Sequence, residues 1–359
     1  MRKSLFPFLS LAVLVSLVLA ACGTPAATPT SEPSTGPQGY GSILARVKER
    51  GKVVCGVHNE LLGFGYLDAN GRNMGFDIDL CRAVAAAVLG DPEAIEPVTI
   101  TAADRGPVLQ TAEVDLITRN MTWTSKRDAE WGNFTWIMFY DGQGFLVRTA
   151  DGIQTLEDMD GAAICVTTGT TTEKNLATAL ADAGVTYEAV TFEETSAVYG
   201  AYEEGRCDIA TSDKSQLAAV RAGFQTPDDH VILDMTISKE PLTPAVPTGD
   251  DQWFDIVKTV MWALINAEEY GITSANVEEM KSSENADIRL LLGAEGEGDW
   301  GNAQVALGGD ALAKAIAAVG NYGEIYDRYF GEGGLAFVLP RGLNDLWTNG
   351  GLIYAPPIK

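Results

Sequence analysis

The stretch KVVCGVHNELLGFGYLDANGRNMGFDIDLCRAVAAAVLG, residues 52–90, sets the fold. KVVCGV is a short, continuous apolar run of the length and β-branched composition of a buried strand. GFGYLDANGRNMGFDIDL then reads as strand, turn and strand leading into a helix, with DANG as the turn signal. From Asp77 to Leu89, helical spacing brings Ile78, Cys81, Val84, Ala85 and Val88 onto one face, and Gly90 can end the helix. Upstream, SILARVKERG reads as a short helix ending at Gly51. Downstream, EPVTIT is a strand, RGPVLQTA a short helix or turn, and VDLITR another strand. This alternation specifies an α/β lobe with a largely parallel sheet.

A second alternation begins near Gly161: AAICVTT, TTEKNLATALADAG, TYEAVTF, TSAVYGAYEEG, CDIATSD, KSQLAAVRAG and HVILD. Two apolar segments flank it, GQGFLVR at residues 142–148 and TISKEPLTPAV at residues 236–246. They read as crossover strands, one leaving the first lobe and one returning. The last hundred or so residues are mostly helical, with QWFDIVKTVMWALINAEEYG, ANVEEMKSS and GDALAKAIAAVGNYGEIYDRYF in succession. Their tryptophans and tyrosines fall at the spacing of packing residues.

The chain has 359 residues, 25 basic against 49 acidic, and a formal net charge of −24. Such a balance argues against nucleic acid or an anionic membrane surface as the main partner. At the N-terminus, MRKSLFPFLSLAVLVSLVLAAC has two basic residues, an apolar stretch to Ala21 and then Cys22. That is the form of a secretory signal peptide, and LAAC resembles a bacterial lipobox, in which Cys22 becomes the acylated mature N-terminus. The Pro-, Ser-, Thr- and Gly-rich run that follows cannot build a core and reads as a flexible tether. After the signal no stretch has the length and apolarity of a spanning helix.

Setting Cys22 aside leaves Cys55, Cys81, Cys165 and Cys207, which permit three pairings. No pair has C-x-x-C spacing and there are only two histidines, so no metal site is expected. The strand VVCGV should carry the helix DIDLCRAVAAAV on its face, and AAICVTT should lie beside GRCDIAT. The expected disulfides are therefore Cys55–Cys81 and Cys165–Cys207, one in each lobe of an exported protein.

The segments GKVVCGV, GFDIDLCRAVAAAV, TRNMTWTSKRD, FYDGQGFLVR, CVTTGTTTEKNLA, GRCDIATSDKS, ISKEPLTPAV and LWTNGGLIYAPP resemble the solute-binding proteins of general L-amino-acid ABC importers. The likeness is collinear from about Ser42 to the C-terminus, and includes the long helical part after residue 250. It implies a type II periplasmic-binding-protein fold: two α/β lobes, two hinge strands, ligand in the cleft, and a helical C-terminal extension. The expected organisation is a lipoprotein signal peptide at 1–21 and a tether at 22–41. Lobe 1 would begin at 42–145, lobe 2 would span 146–240, and 241–359 would return to lobe 1 and add the extension. The expected partners are an L-amino acid, a permease with ATPase subunits, and the membrane through the lipid anchor of a monomer outside the cytoplasm. No cofactor is expected. Gly106 and Pro107 depart from the pattern, standing where relatives usually carry a bulkier turn.

A free amino acid needs a cation for its carboxylate and an anion for its ammonium. Arg127 offers a planar fork that matches a carboxylate, and the resemblance puts Asn120, Thr122 and Arg127 at ligand contacts in lobe 1. The alternative for Arg127 is a surface pair with Asp128 or Glu130, while Lys126 should face solvent. Thr170 and Glu173 have capping-box spacing, so a helix should start there with its amide groups outward, a ready anion site. With the resemblance, Thr170 and Thr171 become carboxylate contacts. Asp213 follows a strand end and matches the family's ammonium-binding aspartate; a helix-capping role is the alternative. His58 and Glu60 lie on the loop where relatives select side chains, with exposed loop positions the alternative for each. Leu61 replaces an aromatic found in many amino-acid binders, which favours several L-amino acids as ligands and disfavours D-enantiomers. The chain has no G-x-S-x-G elbow and no nucleophile pair. The competing function is a dehydratase-type enzyme on the same fold.

Overall fold

The computed structural model describes residues 39–294 and 307–358. Cys22, the signal segment and most of the tether lie outside these residues. The described residues belong to one compact unit.

Strand Val53–Val57 is buried at every position, as a parallel strand covered on both faces must be. It pairs in parallel with Ile95–Thr99 on one side and Leu116–Ile117 on the other. Ala245–Val246 and then Asn133–Phe134 complete this five-stranded sheet, Ala245–Val246 running antiparallel to both its neighbours. The second sheet repeats the plan. Ala162–Thr167 lies in parallel between Tyr187–Phe192 and Ile209–Asp213, followed by Gln143–Arg148, antiparallel to Ile209–Asp213 and to the edge strand His230–Ile232. In each sheet the fourth strand in spatial order is delivered by a crossing from the other lobe. Each sheet therefore contains a strand that the chain enters from the hinge segment.

Between the sheets, Phe139–Asp141 and Glu240–Leu242 form an antiparallel ribbon in which Glu240 stands opposite Asp141. The sequence marked crossover strands at 142–148 and 236–246; the residues that pair with one another are 139–141 and 240–242. Gly142 separates the hinge strand from Gln143–Arg148, and a Cβ there would meet Thr236 Cγ2 at 2.4 Å. The return segment divides into Glu240–Leu242 and Ala245–Val246 around Pro244, which has no amide to continue a ladder.

Packing goes beyond the one-faced helix expected from spacing. Helix Phe76–Leu89 is buried continuously from Phe76 to Ala87. The C-terminal helix Ala311–Val319 packs against it, with Ala83 and Ala87 in the same core as Ala311 and Ala315. At the helix entrance Gly75 has φ 132°, and a Cβ would lie 2.1 Å from Phe64 O, so only glycine fits. Inside this seam Asp79 accepts hydrogen bonds from Arg82 (3.1 Å), Arg328 and Tyr329 (2.9 Å), tying the extension to lobe 1. The extension also reaches the hinge: Phe139 stacks on Tyr326, and the Asn344 side chain bonds both backbone groups of Tyr140, at 2.6 and 3.0 Å. Trp253, Tyr322, Tyr326 and Tyr329 are core residues, as their spacing indicated.

In lobe 2, alternate residues of Gln143–Arg148 enter opposite cores. Phe145 and Val147 pack with Ile164, Leu176 and Leu180, while Leu146 packs with Cys165, Tyr202 and Leu217. Cys55–Cys81 and Cys165–Cys207 are disulfide-bonded, the pairing expected from strand and helix packing. No helix among the described residues is long and apolar enough to cross a membrane.

Candidate functional site

The loops after the parallel strands of both sheets converge on one small interlobe cavity. From lobe 1 it is lined by His58, just past Val53–Val57, by Ala102 and Arg105 after Ile95–Thr99, and by Arg119, Asn120 and Thr122 after Leu116–Ile117. Lobe 2 contributes Thr167, Thr170, Thr171 and Thr172, then Thr195, then Ser212, Asp213 and Gln216. Open α/β sheets bind ligands at this end of their strands. Hydrogen bonds span the gap between His58 Nε2 and Thr195 Oγ1 (3.2 Å), Asn120 Nδ2 and Gln216 Oε1 (3.2 Å), and the Thr122 and Thr171 hydroxyls (3.3 Å). The lobes are thus closed on one another.

Each wall has a local cause. Thr170 caps helix Thr171–Ala183, its hydroxyl accepting from Glu173 N at 3.1 Å. The returning arm of the box goes one residue further than expected, Gly169 N donating to Glu173 Oε2 at 2.8 Å. Among the described residues the amides of Thr171 and Thr172 have no acceptor, and a helix N-terminus of this kind suits an anion at the cavity wall. Gly169 has φ 73°, a backbone conformation that favours glycine, and lies beside Ala103 of the other lobe, where a Cβ would make ordinary contact at 3.4 Å. Asn120 has φ 26°, a left-handed conformation that asparagine tolerates. Its amide donates to Asp77 Oδ2 at 2.7 Å, and its side-chain oxygen is buried without a partner among the described residues.

The charged groups divide sharply. Asp213 precedes helix Lys214–Ala222 but makes no capping hydrogen bond, so the helix-end alternative is not used. Its carboxyl is buried at the cavity, and burial together with Asp141 and Glu240 raises its pKa well above the usual carboxylate value, against the pull of Arg105 and Arg127. Glu240, on the return hinge strand, is instead satisfied: Thr122, Thr171, Asn175 and Ser238 all donate to it. Asp141, opposite it, accepts from Gly142 N at 2.7 Å and Ser215 N at 3.2 Å, and burial pushes its pKa up to about 6. Asp77 is pushed up to about 7 by burial, opposed by the Asn120 amide and Arg119.

Arg127 is buried, not a surface cation. Its guanidinium donates to Thr122 O at 3.0 Å and lies over the Trp131 ring, 4.7 Å from the centroid. Burial lowers its pKa to about 10, while Glu240 and Asp213 act in the opposite sense. It lines an opening next to the cavity, with Gly169, Thr171 and Asn175; Thr171 lines both. Lys126 is exposed and pairs with Glu130. Burial lowers the His58 pKa, helped by Arg119 and Arg105. Its Nδ1 accepts from Glu60 N at 3.1 Å, which leaves Nε2 as the donor to Thr195 and the ring neutral. The Glu60 side chain is exposed and lines a separate groove with Leu62 and Tyr199; Leu61 is in the core.

Arg105, Arg119, Glu240 and Asp141 escaped sequence reading. The scarcity of cations that singled out Arg127 in an acidic chain applied equally to Arg105 and Arg119. No sequence signal separated Glu240 from the other acids. Among the described residues no group of His, Cys, Asp and Glu is placed to hold a metal.

Comparison with known proteins agrees with this architecture. The profile of the bacterial extracellular solute-binding proteins, family 3, matches residues 53–275. A general L-amino acid-binding periplasmic protein, AapJ of Rhizobium johnstonii, is 48% identical over 89% of this chain and 93% of its own length. The glutamate/glutamine/aspartate/asparagine-binding protein BztA of Rhodobacter capsulatus is 46% identical over 89% and 94%. Among solved structures, a periplasmic binding protein from Brucella ovis with glutathione bound superposes with a TM-score of 0.84 at 46% identity, covering 88% of this chain and 99% of that one. With the profile spanning both sheets and the hinge, the chain belongs to family 3 of the bacterial extracellular solute-binding proteins and has their type II periplasmic-binding-protein fold.

Proposed function

We propose that this protein captures L-amino acids in its interlobe cleft and delivers them to an ABC importer. The observation that carries the reading is Asp213: a buried carboxyl at the cavity, without a hydrogen-bond partner among the described residues, facing a wall of unused helix amides and guanidinium groups. Burying a charge without a partner is costly, and a ligand ammonium removes that cost while its carboxylate meets the opposite sign. Arg127, Thr122, Asn120, Thr170 and Thr171 serve the α-carboxylate end, and Asp213 the ammonium. His58 borders the side chain as a neutral ring. The names of the relatives support amino acids as ligands; they are named as binding proteins, which disfavours the dehydratase-type alternative.

Closure about 139–141 and 240–242 brings the two charge sets together, so a ligand that bridges them stabilises the closed state. In this reading Cys22 is acylated and the tether holds a monomeric receptor near its permease and ATPase subunits. A thermal-shift screen of the L-amino acids tests the ligand class, because a ligand that binds only the native state raises its melting temperature. A flat screen, or turnover of the added amino acid, refutes the proposal. Labelling with a fatty-acid precursor in the native host tests Cys22.

A further inference from the structure

We infer that Asn344, in the C-terminal extension, is a positioning residue for lobe closure: it fixes the outgoing hinge strand to lobe 1 as far as Tyr140, so that the lobes turn at the residues just beyond. The inference rests on the closure reading above, but not on which ligand is bound. In the hinge ribbon Tyr140 stands opposite Pro241. Pro241 has no N–H to donate, and its carbonyl is taken by Trp123 N at 2.8 Å. The ribbon therefore gives Tyr140 little of the pairing that a buried backbone needs. Asn344 supplies it. Its Oδ1 accepts from Tyr140 N at 2.6 Å, and its Nδ2 donates to Tyr140 O at 3.0 Å. One side-chain amide takes the part of a third strand.

Asn344 is itself held. It is buried, its N donates to Arg341 O at 2.7 Å, and its O accepts from Arg341 Nε at 2.9 Å. Arg341 in turn meets both oxygens of Glu268, at 3.1 and 3.2 Å, on helix Asp251–Glu269, and lies over the rings of Tyr322 and Tyr326. The preceding hinge residue, Phe139, is packed against Tyr326 and Phe330. The grip then changes hands. Asp141 Oδ2 accepts from Ser215 N at 3.2 Å and Gly142 O from Lys214 N at 2.9 Å, both at the start of the lobe 2 helix Lys214–Ala222. Firm holds on either side leave the rotation to the few bonds between Tyr140 and Gly142. Without Asn344, Tyr140 joins the moving part. The open state gains that backbone freedom. The closed state, tied across the cleft by ligand and interlobe hydrogen bonds, gains less, so closing becomes less favourable.

The test compares the parent with Asn344→Ala and, as control, with Leu343→Ala, a change at the exposed neighbour. Hydrogen exchange read by mass spectrometry should show residues 138–143 of Asn344→Ala exchanging roughly tenfold faster, as for the loss of one net hydrogen bond. In small-angle X-ray scattering the ligand-free variant should have a larger radius of gyration than the parent. With L-glutamate as the probe, surface plasmon resonance should give a Kd weaker by roughly five- to thirtyfold, the equivalent of freeing one residue's backbone. Faster dissociation should carry this loss, with association within about twofold of the parent. Leu343→Ala should match the parent throughout. Exchange and scattering that stay at the parent's values overturn the inference, whatever happens to affinity. So does a lowered melting temperature with binding rates unchanged, which would make Asn344 a packing residue only. Should the parent not bind L-glutamate, the fault lies with the ligand reading, and exchange and scattering decide the inference alone. Should Asn344→Ala not fold, Arg341→Lys, which gives up the paired contact with Glu268, should show the same changes in smaller measure, and their absence overturns the inference.

Discussion

Replacing Asp213 by asparagine should move binding and stability in opposite directions. In the ligand-free protein the carboxyl is buried near Asp141 and Glu240, and these effects outweigh its attraction to Arg105 and Arg127, so its pKa lies well above 3.8. A carboxyl raised in this way binds more protons in the folded than in the unfolded state. Stability therefore falls as pH rises from the unfolded value through the folded one, and the loss is fully present above both. At pH 8 the asparagine variant escapes that loss and should melt higher than the parent; at pH 4 or below, where the parent carboxyl is protonated, the gain should vanish. Binding responds the other way. The variant removes one partner of a desolvated ion pair, at a cost of about 3–5 kcal/mol, or roughly two to three and a half orders of magnitude in Kd. Titration calorimetry with the tightest parental ligand, beside melting curves of ligand-free protein at the two pH values, reads both effects. Affinity retained within about threefold would show that the ammonium is held elsewhere. Lower stability at pH 8 with binding also lost would reduce Asp213 to a structural residue.

Other outcomes follow from the same geometry. Arg127→Ala should weaken binding by on the order of a hundredfold or more, Arg127→Lys should recover only part of it because an ammonium lacks the planar fork, and Lys126→Ala, a change at an exposed side chain, should alter affinity little; calorimetry that reverses the two positions refutes the assignment. Because ligand binding needs Asp213 ionised, affinity should decline on acidification well before the ordinary carboxylate range is reached, which titrations from pH 8 to pH 5 would show. The ligand-free protein should melt higher at pH 5 than at pH 8, since Asp77 and Asp141 are raised to about 7 and 6 and take up protons on folding; a melting point that rises with pH contradicts this. Trp253 is fully buried with its indole donating to Asp115 O at 2.8 Å, so Trp253→Ala should cost about 3–5 kcal/mol in denaturant unfolding.

What the sequence determined by itself was local or periodic. The strand and helix alternation, the cap at Thr170, and a strand carrying a helix with its cysteine in reach depend on neighbours a few residues apart or on the repeat of an element. That the two runs are lobes of a binding protein came from the resemblance, and with it the choice of Arg127 over Lys126 and of Asp213 for the ammonium. Tertiary structure decided what depends on which distant groups meet. Glu240 and Thr122 are separated by 118 positions, and Asn120 and Gln216 by 96. Nothing within a few residues of Glu240 marks it as the acid satisfied by donors from both lobes, or marks Glu60 as the one that stays outside. Burial of Phe76–Leu89 on its second side depends on a helix more than two hundred residues away. Arg105 shows the limit most clearly: its residue type was visible from the start, but its burial at the cavity wall exists only once six loops from two sheets have closed around it. Pattern records the period of each element; the electrostatics of a cleft arise from long-range packing, which no local period encodes.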